Sequence, residues 1–382
     1  MSWDKAKISD ICSDIFDGPH ATPPVSKDGA IFLGISNITP DGHLDLSNPK
    51  YINEADLPKW TKRVTPLEGD IVFSYEATLN LYAIIPPGFH GCLGRRMALI
   101  RPNENKVLGK FLFYYFFSDE WRKTIAENTV IGATVDRIPL IRFPNFPVSY
   151  PSIEKQFKIV EVLSSYDDLI KNNRKQIKLL EEAAQRLYKE WFVDLRFPGH
   201  ETTPITDGIP DGWQQLLLDQ VAPILTGKKD ANFSTEDGQY PFFTCAQTPL
   251  QAPSYSFDCD AVILAGNGDF NVKLYRGQFE AYQRTYVLSP ENKELLFLLY
   301  HAVNNSMAKL AQGASGSTIK FLTKGMIASI SVYVPDELTL NKFNELSEAI
   351  QKQIEFLKSA VDHAAEARDR LLPKLMNGEI EV

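Results

Sequence analysis

Ile131-Gly-Ala-Thr-Val-Asp-Arg-Ile-Pro-Leu-Ile-Arg-Phe-Pro-Asn-Phe-Pro-Val-Ser-Tyr-Pro151 returns, altered but in step, as Ser315-Gly-Ser-Thr-Ile-Lys-Phe-Leu-Thr-Lys-Gly-Met-Ile-Ala-Ser-Ile-Ser-Val-Tyr-Val-Pro335. Extended upstream without a gap, Phe111–Pro151 over Leu295–Pro335 also matches Leu112 with Leu296 and Phe113 with Phe297. Earlier still, Arg96-Met-Ala-Leu-Ile-Arg-Pro102 answers Arg284-Thr-Tyr-Val-Leu-Ser-Pro290. The chain openings echo each other as well, Ile8-Ser-Asp-Ile11 and Gly18 against Leu218-Asp-Gln-Val221 and Gly227. A tandem duplication with two different surfaces suits a target made of two different halves.

Each copy leads into a heptad-patterned stretch. Beyond Pro151 glycine is absent until Gly199. Leu163, Ile170, Ile177, Ala184 and Trp191 share one heptad position, with Tyr166, Asn173, Leu180 and Leu187 at the other. Beyond Pro335 the pattern returns as Phe343, Ile350, Leu357, Ala364 and Leu371, with Leu346, Gln353, Ala360 and Ala367. Such seams need a partner helix, and two seams of equal length in one chain can cover each other; packing of each on its own domain is the simpler alternative. Asn173 and Gln353 interrupt the seams as register-setting polar residues do. Leu163, Ile170, Ile177, Leu180, Leu187, Ile350, Leu357, Ala364 and Leu371 are the expected coiled-coil and partner-docking positions.

Upstream of each seam the chain is strand-rich. Ala30–Gly34, Asp70–Ser74, Met97–Ile100 and Asp260–Leu264 are short apolar runs bounded by turn residues. Helices are expected over Lys110–Glu127 and Lys293–Lys309; the aromatic stripe Phe113, Phe116, Phe117 and Trp121 reads as a face docked on a sheet. The organisation is therefore α+β. Residues 1–150 form a first strand-rich domain, 151–200 a central helix, 201–334 a linker and second strand-rich domain, and 335–382 a distal helix.

Bulk properties set limits. The chain of 382 residues carries 44% hydrophobic and 23% charged residues, as a soluble globular protein of two domains does. No stretch approaches the ~20 apolar residues of a membrane span, and the N-terminus has no signal-like apolar core. A cytoplasmic location is expected. Cys12, Cys92, Cys245 and Cys259 show no CxxC spacing and read as reduced thiols, without a metal site. The net charge of −8 opposes a simple cationic nucleic-acid binder. The acid excess gathers late in the chain, so a local patch or a partner would have to supply cationic surface.

Catalytic motifs are missing. Gly266-Asn-Gly268 is not a dinucleotide fingerprint, and Thr226-Gly-Lys-Lys229 lacks the remaining parts of a phosphate-binding loop. No catalytic residue is assigned. The loops hold better candidates. Gly132-Ala-Thr134 before Arg137, and Gly316-Ser317-Thr318 before Lys320, join backbone N–H groups to hydroxyls in a way that suits phosphate oxygens; a tight structural turn is the simpler alternative. Arg95 and Arg96 in one copy, and Tyr282, Gln283 and Arg284 in the other, include side chains able to bond two base-edge atoms at once. Tyr75, Asn267 and Lys273 lie in loops that differ between the copies, where Ser74-Tyr-Glu76 stands against Asn267-Gly-Asp269.

Leu179-Leu-Glu-Glu-Ala-Ala-Gln-Arg-Leu-Tyr-Lys-Glu-Trp-Phe-Val-Asp-Leu-Arg-Phe-Pro-Gly-His-Glu201 resembles the central conserved helix of type I restriction–modification specificity subunits. Ala367–Ile380 resembles their distal helix, and Gly227-Lys-Lys-Asp-Ala-Asn232 and the turn at Gly316 fit the same family. The resemblance implies two target recognition domains, each reading half of a split DNA target, held apart by two antiparallel helices. It implies a non-catalytic chain. Two modification subunits would bring S-adenosylmethionine and methylate adenine N6, and two restriction subunits would add ATP- and Mg-dependent translocation and cleavage. The recognised bases do not transfer with it.

Overall fold

The computed structural model describes residues 3–382 except 133, 269 and 317–319. The chain divides into two units, one of residues 1–172 and 361–382, the other of residues 173–360. The two long helices, Ile153–Tyr188 and Glu337–Met376, thus each contribute to both units.

In the first unit the strands are β1 (Asp4–Lys7), β2 (Cys12–Asp17), β3 (Ala30–Leu33), β4 (Lys50–Ile52), β5 (Ile71–Ser74), β6 (Tyr82–Ile84), β7 (Gly91–Leu93), β8 (Met97–Pro102) and β9 (Pro147–Tyr150). They form a four-stranded sheet β2-β8-β5-β6, a three-stranded sheet β4-β3-β7 and the pair β1-β9. β5 is buried at every residue, which is why Ile-Val-Phe reads as a continuous apolar run instead of an alternating one. Among the described strands of this unit, β3 and β7 alone pair in parallel. The helix expected over Lys110–Glu127 is two helices, Gly109–Tyr115 and Asp119–Asn128. Ser118 breaks it: its hydroxyl accepts from the Trp121 N–H at 3.2 Å and starts the second helix as an N-cap. The aromatic stripe is core, with Phe116 and Trp121 fully buried and Trp121 Nε1 donating to the Tyr82 hydroxyl at 2.9 Å.

The second unit begins with a hairpin of β10 (Ile205–Thr206) and β11 (Ile209–Pro210), followed by β12 (Gln214–Leu217), β13 (Ile224–Thr226), β14 (Tyr240–Phe243), β15 (Leu250–Ala252), β16 (Phe257–Ala265), β17 (Val272–Ala281), β18 (Thr285–Leu288) and β19 (Ser331–Val334). One six-stranded sheet runs β13-β18-β16-β17-β14-β15, with β12 paired to β19. The parallel pairing of β14 with β17 repeats that of β3 with β7. The helix Leu296–Gly313 fills the place of the first unit's helix pair.

Each unit contains an early stretch of one long helix packed against a late stretch of the other, which is antiparallel pairing. In the first unit, Ile159 and Leu163 share a core with Leu372, Leu375 and Met376. In the second, Phe192 and Phe343 rings meet at 4.8 Å, beside Tyr188 and Trp191. Both helices also pack on the strand-rich part of their unit, as Phe343 does on His301.

One seam differs from expectation. Leu346 is 47% exposed and Gln353 is exposed, while Ser347, Ile354 and Arg368 are buried. The second line of the distal helix is therefore 347, 354, 361, 368 and 375, one residue beyond the line expected. These positions continue the same spacing that relates Pro151 to Pro335, since Leu163, Ile170, Ile177, Ala184 and Trp191 correspond to them one for one. Asn173 is buried on the seam; Gln353 is not, and the buried polar residues of the distal helix are Thr339, Ser347 and Arg368.

Buried polarity on the first unit's helices is paired. Arg368 Nη1 donates to Asp167 Oδ1 at 2.7 Å, and the Tyr114 hydroxyl donates to Asp167 Oδ2. Burial, followed by the Asp167 charge, pushes the Tyr114 phenol up, so it remains a donor. The corresponding places in the second unit are Ala184, Gln351 and Leu298, without charge.

Candidate nucleic-acid interface

One loop cluster in each unit is built on the same set of backbone hydrogen bonds. In the first, Gly18 N–H donates to the Met97 carbonyl at 2.8 Å, Gly94 to Leu33 at 2.7 Å, Tyr75 to Arg96 at 3.2 Å and Ile138 to Tyr75 at 2.8 Å. In the second, Gly227 donates to Thr285 at 3.1 Å, Tyr282 to Phe243 at 2.9 Å, Gly266 to Arg284 at 2.8 Å and Leu322 to Gly266 at 2.8 Å. Gly18 and Gly227 are required by close approach: a Cβ would lie 2.3 Å from the Gly94 carbonyl oxygen in one case and 1.9 Å from that of Ala281 in the other. Gly227-Lys-Lys229 is thus a packed crossing. A short arm closes each cluster, where Val130 and Arg137 exchange bonds of 2.9 and 3.1 Å, and Ser315 and Phe321 bonds of 3.1 and 2.8 Å.

These bonds also fix which residues correspond. β5 pairs Ser74 with Met97, and β16 pairs Ala265 with Thr285. Ser74-Tyr-Glu76 therefore answers Ala265-Gly-Asn267, not Asn267-Gly-Asp269, and the loops diverge two residues earlier than the sequence comparison places them.

The candidate side chains fall into three groups. Arg95, Thr134, Arg137, Gln283, Arg284 and Lys320 are exposed at the loop clusters. Arg96 and Lys273 are half-buried and anchored, Arg96 Nε at 3.7 Å from Glu76 Oε2 and Lys273 Nζ donating to the Ala246 carbonyl at 2.9 Å. Tyr282 and Asn267 are half-buried, with backbone bridges to Lys229 and Phe321. Ser317 and Thr318 lie outside the described residues. Tyr75 departs from its expected role. It is only 8% exposed and its hydroxyl donates to the Arg95 carbonyl at 3.1 Å, so it supports the loop and presents no edge to a ligand. Burial, then the charges of Asp17 and Glu76, push its phenol up and keep that donor protonated.

Two carboxylates are missing from the candidates drawn from sequence. Asp230 accepts from Gln283 Nε2 at 2.5 Å, and Glu76 faces Arg96. Asp230 stands in the Gly227–Asn232 segment, where only the glycine and lysines attract notice. Lys229 Nζ lies over the Phe233 ring, 4.2 Å from its centre.

Residues 24–182 and 210–359 match the family model described as type I restriction modification DNA specificity domain. The chain belongs to this specificity family. It is 39% identical over 176 residues to the type I restriction enzyme EcoDI specificity subunit of Escherichia coli, an alignment that takes in 45% of this chain and 39% of that protein. It is 26% identical over 424 residues, 100% of this chain and 94% of the other, to the MjaIX specificity subunit of Methanocaldococcus jannaschii. The fold is that of a solved S subunit from M. genitalium, with a TM-score of 0.55 at 15% identity, covering 98% of this chain and 96% of that one. Specificity subunits are non-catalytic, and the loop clusters of this member expose hydrogen-bonding side chains such as Arg95, Gln283 and Arg284. Among the described residues no three His, Cys, Asp or Glu side chains gather as a metal site, and no helix is long and apolar enough to cross a membrane.

Proposed function

We propose that the chain is the DNA-specificity subunit of a type I restriction–modification complex, each strand-rich head reading one half of a bipartite duplex target. The observation that carries this is the duplicated loop frame, which repeats the same principal backbone bonds with different side chains. A common frame gives each head the same approach to a duplex, and the divergent side chains give each a different sequence. The paired helices set the unread spacer. Helices of 36 and 40 residues extend about 54 and 60 Å at 1.5 Å per residue. Two modification subunits docked on the helices bring S-adenosylmethionine and methylate adenine N6. Two restriction subunits use ATP and Mg to translocate and cut unmodified DNA, all of this in the cytoplasm.

Mapping methylated adenines in a host that carries the complex tests this. The expected result is one bipartite motif, lengthened in its spacer alone when a heptad is inserted into each helix. Methylation or cleavage by the isolated chain, or a motif without two halves, would overturn the proposal.

A further inference from the structure

Each loop cluster carries two adjacent long polar side chains at matching places, Arg95-Arg96 in one and Gln283-Arg284 in the other. In each pair a carboxylate contacts one member and not the other, by an ion pair in the first and a hydrogen bond in the second, and the order is reversed. Glu76 forms an ion pair with Arg96, its Oε2 3.7 Å from Nε, while Arg95 is exposed and forms no ion pair with a described residue. Asp230 holds Gln283, while Arg284 is exposed and forms no ion pair with a described residue.

The distinction matters because reading a base edge needs a fixed plane and meeting a phosphate does not. A bidentate contact requires two side-chain atoms to face two base atoms together, so a side chain already held loses less freedom on binding. Glu76 lies on the Nε side of Arg96 and leaves both terminal nitrogens, the pair that donates to O6 and N7 of guanine. Asp230 takes one hydrogen of the Gln283 amide. The other hydrogen and Oε1 remain, the donor and acceptor that match N7 and N6 of adenine. An unheld arginine on a flexible stem suits a phosphate, whose contacts position the protein without carrying sequence.

We infer that Arg96 reads a guanine in one half-site and Gln283 an adenine in the other. Glu76 and Asp230 are positioning residues, and Arg95 and Arg284 anchor phosphates. This rests on reading the chain as a DNA-specificity subunit.

The test uses the full chain assembled with its methyltransferase partner and a randomised double-stranded DNA library, with Kd measured at several salt concentrations. Q283R, with Asp230 kept, should switch one position of one half-site from adenine to guanine by about tenfold or more. R96Q should weaken guanine preference at one position of the other half by a similar factor. E76Q and D230A should lower those same two preferences and leave every other position unchanged, which general loosening of the fold would not do. R95A and R284A should weaken binding evenly over all sequences and reduce the salt slope by about one each. If the wild-type complex selects a bipartite target but Q283R and R96Q leave it unchanged, the assignment is wrong and the reading of the chain stands. The assignment is equally wrong if R95A or R284A relaxes a single base position. If the wild-type complex selects no sequence, both fail together.

Discussion

The two heads hold one backbone frame with an aromatic ring contributed from opposite strands. In the first head Tyr75 comes directly after β5, and the facing β8 carries Ala98; in the second the corresponding residues are Gly266 and Tyr286. Tyr75 donates to the Arg95 carbonyl at 3.1 Å, and Tyr286 to that of Leu322 at 2.9 Å. Gly266 has no room for more, since a Cβ there would lie 2.8 Å from the Tyr286 ring. The frame thus needs one phenol bonded to a loop carbonyl and is indifferent to which strand supplies it. That tolerance lets the exposed loop residues of the two copies diverge while their mounting stays the same.

The largest difference between the units concerns charge, and the strongest prediction tests it. Asp167→Ala leaves the Arg368 guanidinium, 9% exposed, without its partner and Tyr114 without an acceptor. Breaking a fully buried pair costs roughly 3–5 kcal/mol. Asp167 is 21% exposed and Asp369 also contacts Arg368, so the low end, about 3 kcal/mol, is expected for the first unit alone. The matching Gln351→Ala should stay within about 0.5 kcal/mol. Hydrogen exchange read separately over each unit measures both, and equal losses would mean that the ion pair is not what distinguishes them.

Where the units agree, they should fail alike. Gly227→Ala forces a Cβ against the Ala281 carbonyl and Gly18→Ala one against that of Gly94, at 1.9 and 2.3 Å. Each should cost about 2–3 kcal/mol, as overpacking does, with Gly227 the worse. Denaturant midpoints of the two variants decide. A neutral Gly227→Ala would show that the crossing relaxes easily.

Acid should separate the units again. His301 occupies the place of Phe117, is 4% exposed, and has its pKa pushed down to about 4 by burial. Its folded value lies below its unfolded value of about 6.5, so its contribution is complete above that pH and is lost as pH falls towards 4. The full span is about 3 kcal/mol, confined to the second unit. His301→Phe, copying the first unit, should flatten the exchange-derived stability of the second between pH 6.5 and 4. An unaltered slope would assign the acid sensitivity to other groups.

Much of this architecture can be read from residues. Pro151 and Pro335, with the glycine-free helices after them, mark the two-head, two-helix plan, because a repeat in step and a heptad survive wide changes of composition. The distal seam reads one residue out because Leu346 looks like core and Ser347 does not. Ser118 as a helix start is hidden inside an unbroken aromatic stripe. At the loops, exposed Arg95, Gln283 and Arg284 are legible as residue types. The roles of Tyr75, Glu76 and Asp230 are not, because they depend on partners far away in sequence, such as the 53 residues between Asp230 and Gln283.

The finest test concerns the two phenols. Tyr75→Phe and Tyr286→Phe each remove a hydroxyl and leave the ring, so packing is retained and one hydrogen bond to a loop carbonyl is lost. A net cost of about 1 kcal/mol is expected for each. Equal costs would support one frame supported from two sides. The functional consequences should differ in place, because Tyr75 holds the carbonyl of Arg95 beside the Arg96 reader, whereas Tyr286 holds Leu322 at the end of the short arm. Tyr75→Phe should therefore soften base preference in its half-site, measured by library selection, while Tyr286→Phe leaves the Gln283 position sharp. If both soften recognition equally, the two supports act on the whole loop cluster, and the local division between reader and mounting does not hold.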